Sequence, residues 1–502
     1  MLVSNSCVND TRVIRSANAL SEFGFDTIVL AVAEGGETSE ERRNSVLYKR
    51  LARHRIQTQR IQTQRIQTQS QVPQDAVSAI STYVLVPTYL ADQAHLLSLH
   101  LSRFDPRSVR GLRKIEQQLR GPAASYNESP IQVHNIGLFQ IMLEIGRRLI
   151  RLARGQGRRF IASGRRFIAS GKGLIRRQLH FLLFRPIVDA RRIRRLFEDE
   201  LMKLRPDVIH AHDLVTLPAA AAAAKSLGAK LIYDSHELEV HRNTQTGVIE
   251  KWLRYHTERR HIKKCDAVVT VCDSIADHLA REYSIKRPVV VMNAPDVDQV
   301  LPSDADLRSH LGLARETPLA VYVGRITVGR GIEQIVDALR YLPEFCVALV
   351  GPTHKPTVEA ALEIATKFGV DKRLHVLDPV PPGLIIPFIS SADVSVLAIQ
   401  NVCLSYYYCL PNKLLESAVA QLPMVVSNFP ELRRFIEISG SGLVMDEKDP
   451  RDIARAIQEV YDNRHHFRLD AERLRRVEDI YGWSAQKFAL REMYSRITPM
   501  NH

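Results

Sequence analysis

Long apolar runs are missing from this 502-residue chain. No strongly apolar stretch reaches the ~18 residues that cross a bilayer, so no spanning helix is expected. The opening residues, Met1 to Val13, lack a basic start and an apolar segment, so no secretory signal peptide is expected either. Cysteine is scarce: Cys7, Cys265, Cys272, Cys346, Cys403 and Cys409, with no two at C-x-x-C spacing. This excludes a disulfide framework and a thiolate cage for metal, and reads as reduced thiols in a cytoplasmic protein. Acidic balance is lacking in one place only. Between Arg147 and Glu200 stand 16 Arg/Lys against 4 Asp/Glu, a local +12 within a net charge of +14. The rest is close to neutral.

What is present describes a soluble globular protein: 45% apolar and 25% charged residues, in a chain too long for one core. Within the basic segment Met142, Ile145, Leu149 and Leu152 recur at three- and four-residue steps. Arg147, Arg148, Arg151 and Arg154 fall on other faces. That composition is a cationic amphipathic helix, and an anionic membrane surface attracts it through about residues 139–200 at roughly 1 kcal/mol per nearby cation. A solvated helical insert is the plainer alternative. Aromatic residues to stack on bases are nearly absent, so nucleic acid is not the expected partner. Two tandem duplications, RIQTQ three times over 55–69 and GRRFIAS twice over 157–170, match no solenoid period. Residues 34 to about 75 read as a polar surface excursion.

Regular alternation fills the remainder. Leu2–Asn5 reads as a strand, Thr11–Phe23 as a helix stopped by Gly24, and Thr27–Val32 as a buried strand, the opening of a parallel sheet. The rhythm resumes with strands at Asp207–His212, Lys230–Asp234, Ala267–Val271 and Val289–Met292. A polar link runs from Asn293 to Thr317. A second series follows at Leu319–Gly324, Phe345–Val350, His375–Leu377, Val394–Leu397 and Met424–Val426.

The stretch from Ser405 to Glu437 organises the rest. Pro411 opens a helix from Asn412 to about Val419, because proline fits a first turn that needs no N–H. The positive end of that helix, with its N–H groups, is an anion site. Glu416 lies one turn further in, where a carboxylate can accept from vicinal hydroxyls. Gly324-Arg325 to Arg330-Gly331 follows the first strand of the second series, where parallel-sheet proteins bind ligands; two guanidiniums there can bracket a diphosphate. His210-Ala-His212-Asp213 and Asp234-Ser-His236-Glu237 end neighbouring strands of the first series. His210 and His212 are expected to split between the two faces of their strand, so at most one reaches a ligand. No E-x-x-H or C-x-x-C accompanies them, and no metal is expected.

Leu410-Pro-Asn-Lys-Leu-Leu-Glu416 with Pro423-Met-Val-Val-Ser427 resembles the donor site of family-4 retaining glycosyltransferases of the GT-B fold, in a P-N-K-x-x-E variant of their E-x7-E motif. Tyr408 stands where the first glutamate of that motif is usual, and Val8-Asn9-Asp10 replaces the usual loop glycines. The resemblance implies an α/β chain with two Rossmann-like domains, their parallel sheets facing a central cleft. Its domains would be an acceptor-side unit 1–295 with a polar and basic insert at about 34–200, a linker 296–317, a nucleotide-sugar unit 318–480, and a tail helix 481–502 crossing back. Gly324, Arg325, Arg330, Asn412, Lys413 and Glu416 would hold the donor. His212, Arg325 and Arg330 would serve the chemistry, and Asn9, Asp10, Asp213, His236 and Glu237 would line the acceptor side.

The implied activity moves a sugar from a nucleoside-diphosphate sugar, UDP favoured, to a hydroxyl of a glycan or lipid-linked acceptor, with retention and without metal or other cofactor. Surface polysaccharide or glycolipid assembly would be the setting, in the cytoplasm or on the inner face of its membrane. The alternatives are a UDP-sugar 2-epimerase of the same fold and a non-catalytic, membrane-attached scaffold that binds sugar nucleotides.

Overall fold

The computed structural model describes residues 1–8, 10–34, 37–52, 194–243, 248–296, 300–301, 303–304 and 306–498. The chain divides into two units, residues 1–56 with 183–502 and residues 57–182, and all described residues lie in the first. The RIQTQ and GRRFIAS repeats and nearly all of the basic segment lie outside the described residues.

Thirteen strands are described, β1 (Ile28–Val32), β2 (Ser39–Arg43), β3 (Val46–Leu51), β4 (Val208–His212), β5 (Lys230–Ser235), β6 (Ala267–Thr270), β7 (Val289–Val290), β8 (Leu319–Val323), β9 (Cys346–Val350), β10 (Leu374–Leu377), β11 (Val394–Leu397), β12 (Met424–Ser427) and β13 (Gly442–Met445). β8–β13 form one all-parallel sheet in the order β10-β9-β8-β11-β12-β13. The order reverses direction between β8 and β11, which opens a crevice above their carboxyl ends. Alternate residues serve opposite faces. Ala320 and Tyr322 of β8, with Val347 and Leu349 of β9, enter one buried cluster. Leu319, Val321, Val323, Cys346, Ala348 and Val350 enter another on the other side. Both faces are covered, so these strands read as unbroken apolar runs.

The first half repeats the plan. β4-β5-β6-β7 are parallel, β1 and β3 are parallel, and β2 closes the edge antiparallel to β3. Leu2 joins the two groups by bridging Leu30 and Ala211. The expected Leu2–Asn5 strand thus shrinks to one bridging residue, because the backbone turns at Ser4 and Asn5. A second expectation fails more fully. Residues 34–75 are not all surface excursion: Val46, Tyr48 and Leu51 are buried, and β3 pairs with β1 from Ile28↔Leu47 to Val32↔Leu51. At the far end of the presumed insert, the helix over 194–204 buries Phe197 and Leu201 and pairs Glu200 with Lys49 at 2.8 Å.

The helix Trp483–Ile497 lies against the first half, where Gln486 Oε1 accepts from Met292 N at 2.9 Å and the Tyr494 hydroxyl meets His210 Nδ1 at 2.8 Å. The helix before it, Ala471–Tyr481, packs on the second half. One buried cluster runs through both halves, from Leu2, Leu30 and Ile232 to Leu414, Leu432, Phe435 and Tyr494. Polar contacts add to it: Ser274 N donates to Glu431 at 2.6 Å, and Cys272 Sγ donates to the Tyr408 carbonyl at 3.0 Å. All six thiols are free. Among the described residues, no helix is long and apolar enough to cross a membrane.

Candidate active site

On the second half, the loop after β8 is pressed onto the crevice by glycines. Gly331 has φ 71°, and a Cβ there would sit 1.9 Å from the Ala398 carbonyl oxygen at the end of β11. Only a residue without a side chain allows that approach. Arg325 is exposed beside this turn, its carbonyl accepting from the Tyr322 hydroxyl at 2.9 Å. The Arg330 guanidinium lies over the Tyr406 ring at 4.3 Å.

The helix Asn412–Val419 begins after Pro411 without a side-chain cap, so its first N–H groups have no side-chain acceptor. Lys413 Nζ pairs with Glu416 Oε2 at 2.8 Å. Across the cleft Arg15 is the facing cation. Burial lowers its pKa, while the charges of Asp296 and Glu416 act the other way.

On the first half, β4 and β5 carry the second group in register, His212 opposite Asp234. The expected split of the two histidines is wrong. Their rings stack at 4.5 Å and 11°, because residues two apart on a strand share a face; Ile209 and Ala211 take the other. His212 Nδ1 lies 3.0 Å from His236 Nε2 and 3.3 Å from Asp234 Oδ2. Asp234 accepts from Arg12 through both oxygens, Nε at 2.9 Å and Nη2 at 2.7 Å. Burial alone would raise the Asp234 carboxyl, but Arg12 and His236 hold it well below its ordinary value. Burial lowers His210 and His212, which disfavours their charged forms. His236 goes up: burial opposes its charge, yet Asp234 and Asp213 outweigh it.

Asp213 has φ 62°, a left-handed conformation uncommon for a residue with a Cβ, at the abrupt turn from β4 into the helix Asp213–Leu227. The turn points its carboxylate at His236, with Oδ1 3.4 Å from Nδ1. Glu237 pairs with Arg242 at 2.5 Å and accepts from Ser405 of the other half at 3.3 Å. Asp10 caps the helix Thr11–Glu22, its side chain accepting from Val13 N at 3.2 Å. Asn9 lies outside the described residues.

His210, His212 and Asp234 are close enough to hold a metal ion. The Arg12 guanidinium already occupies both Asp234 oxygens, however, and a second positive charge beside it would be repelled. Among the described residues, His210 Nε2 and His212 Nε2 are buried without a hydrogen-bond partner, while His210 Nδ1 meets the Tyr494 hydroxyl and His212 Nδ1 meets His236.

Sequence reasoning missed Arg12, Arg15 and Tyr406. The two arginines did leave a signal: cations in the first turns of a helix oppose its dipole, so their place there needs another cause.

The family model Glycosyltransferase Family 4 matches residues 142–299, and Glycosyl transferases group 1 matches residues 317–463. With paired parallel sheets around a cleft, these matches make the chain a glycosyltransferase of the GT-B fold. It is similar to D-inositol 3-phosphate glycosyltransferase of Xylanimonas cellulosilytica, 27% identical over 310 residues, 58% of this chain and 72% of that one. In structure it is similar to sucrose-phosphate synthase from Thermosynechococcus elongatus, with a TM-score of 0.61 and 14% identity over 99% and 98% of the two chains. It also resembles HepE of Anabaena in complex with UDP, with a TM-score of 0.51 and 14% identity over 60% of this chain and 82% of that one.

Proposed function

We propose that this glycosyltransferase moves a sugar from a UDP-sugar to a hydroxyl of a glycan or lipid-linked acceptor, with retention of configuration. The observation that carries this reading is the crevice above the neighbouring strands β8 and β11, with a glycine-pressed loop bearing two arginines after β8 and an uncapped helix leading to Glu416 after β11. A diphosphate fits forked donors and helix N–H groups, and Glu416 would accept from the ribose hydroxyls. UDP is favoured because the similar HepE was solved with it.

In the reaction the bond from the anomeric carbon to the diphosphate oxygen breaks as the acceptor oxygen bonds to that carbon on the same face. The departing phosphate oxygen takes the acceptor proton. Arg325 and Arg330 stabilise the charge left on the diphosphate, and His212 lies near the anomeric centre. Asp213, His236 and Glu237 line the acceptor side. The basic segment, about 139–200, docks the chain on an anionic membrane that carries the acceptor.

Calorimetry with UDP and GDP tests the site. Glu416→Ala and Arg325→Ala should each weaken UDP binding by ~1.5–3 kcal/mol, the worth of a hydrogen bond to a charged group. Binding of neither nucleotide to the wild type would end the catalytic reading.

A further inference from the structure

Arg330 stands in the loop after β8, where both its backbone and its side chain are held by neighbours. Its backbone is fixed. Val328 O accepts from Asn243 Nδ2 at 3.2 Å, and Gly329 O accepts from Gln400 N at 3.0 Å. A Cβ on Gly329 would come within 2.9 Å of Val402 Cγ2 and 3.1 Å of both Asn243 Nδ2 and Tyr406 Cε2. The remaining freedom of the side chain is taken up by Tyr406, whose ring centroid lies 4.3 Å from the guanidinium carbon. Among the described residues no carboxylate forms an ion pair with Arg330, so its charge stays available to an anion. A ring beneath the guanidinium carbon attracts the cation and leaves N–H donors free for an anion, and the planar fork loses less freedom per bond formed than an ammonium on a four-carbon stem.

We propose that Tyr406, from the helical turn Leu404–Tyr407, is the positioning residue that presents Arg330 to the diphosphate of the donor. This rests on the donor-site reading above. The ring converts a flexible cation into a preset fork, so its loss lowers nucleotide affinity through Arg330 and by no other route.

The test is a double-mutant cycle on the full chain, with UDP and GDP binding measured by calorimetry. Tyr406→Leu should weaken the better-bound nucleotide about 3- to 30-fold, the range of a cation–π contact from exposed to desolvated. Tyr406→Phe keeps a ring face and should stay within about twofold of wild type. The double variant Tyr406→Leu/Arg330→Ala should bind no more weakly than Arg330→Ala. Additive losses, a Phe variant as weak as the Leu variant, or a Leu variant that binds like wild type would each overturn the inference. If Arg330→Ala itself binds like wild type, or the wild type binds neither nucleotide, the donor-site reading falls and takes the inference with it.

Discussion

At the scale of single residues, Arg12 organises the first half of the site. It bonds to both oxygens of Asp234, which in turn faces His212 and His236. Replacing it by methionine strands a buried carboxylate, and Arg12→Met should cost about 3–5 kcal/mol in denaturant unfolding. The same pair sets an acid limb. Asp234 is held well below its ordinary pKa, so the stability it contributes is present above the unfolded value of about 3.9 and is lost as pH falls below it. Wild type should therefore lose stability below pH ~4 more steeply than Asp234→Asn, in unfolding curves measured across that range. The place of Arg12 in a first helical turn left a signal, but its partner was not legible beforehand. The sequence shows Asp10-Thr-Arg12 as one loop-to-helix turn, and an ion pair spanning more than two hundred residues leaves no local pattern. The histidine cluster shows the opposite case: its location at two strand ends was readable, and only the facing of His210 was misjudged.

At the scale of elements, the legible parts were those whose burial is one-sided or complete. β8, β9, β11 and β12 are apolar runs between turn residues, and the helix Asn412–Val419 was announced by Pro411. β3 was not legible because Val46-Leu-Tyr-Lys-Arg-Leu51 alternates imperfectly and is followed directly by the repeats. Its burial comes from pairing with β1, a tertiary fact. The loop after β8 depends on Gly331 in a way the sequence only hints at. Gly331→Ala should destabilise by at least about 1–2 kcal/mol from the left-handed backbone alone, before the clash with Ala398 is counted. It should also weaken UDP binding. A variant with wild-type stability and affinity would show that the loop does not need its close seat on β11.

For the whole molecule, the shared core makes the two halves one thermodynamic body. Leu414, Leu432 and Phe435 of the second half belong to the same buried cluster as Leu2, Ile232 and Leu279 of the first. Two probes can test this: fluorescence of Trp252 and Trp483, both seated on the first half, and far-ultraviolet circular dichroism, which reports both halves. In the wild-type chain they should give the same unfolding midpoint. Separate midpoints would mean that the shared core does not couple the halves. The chain passes between the halves at Gly482, and it leaves the first half again just after Met292, whose N–H is held by Gln486 of the tail helix. The two passages lie side by side, so they act as the spine of a book. Any opening of the cleft would turn about that spine. A side chain at Gly482, where a Cβ would come 2.4 Å from the Glu478 carbonyl oxygen, cannot enter without displacing the spine.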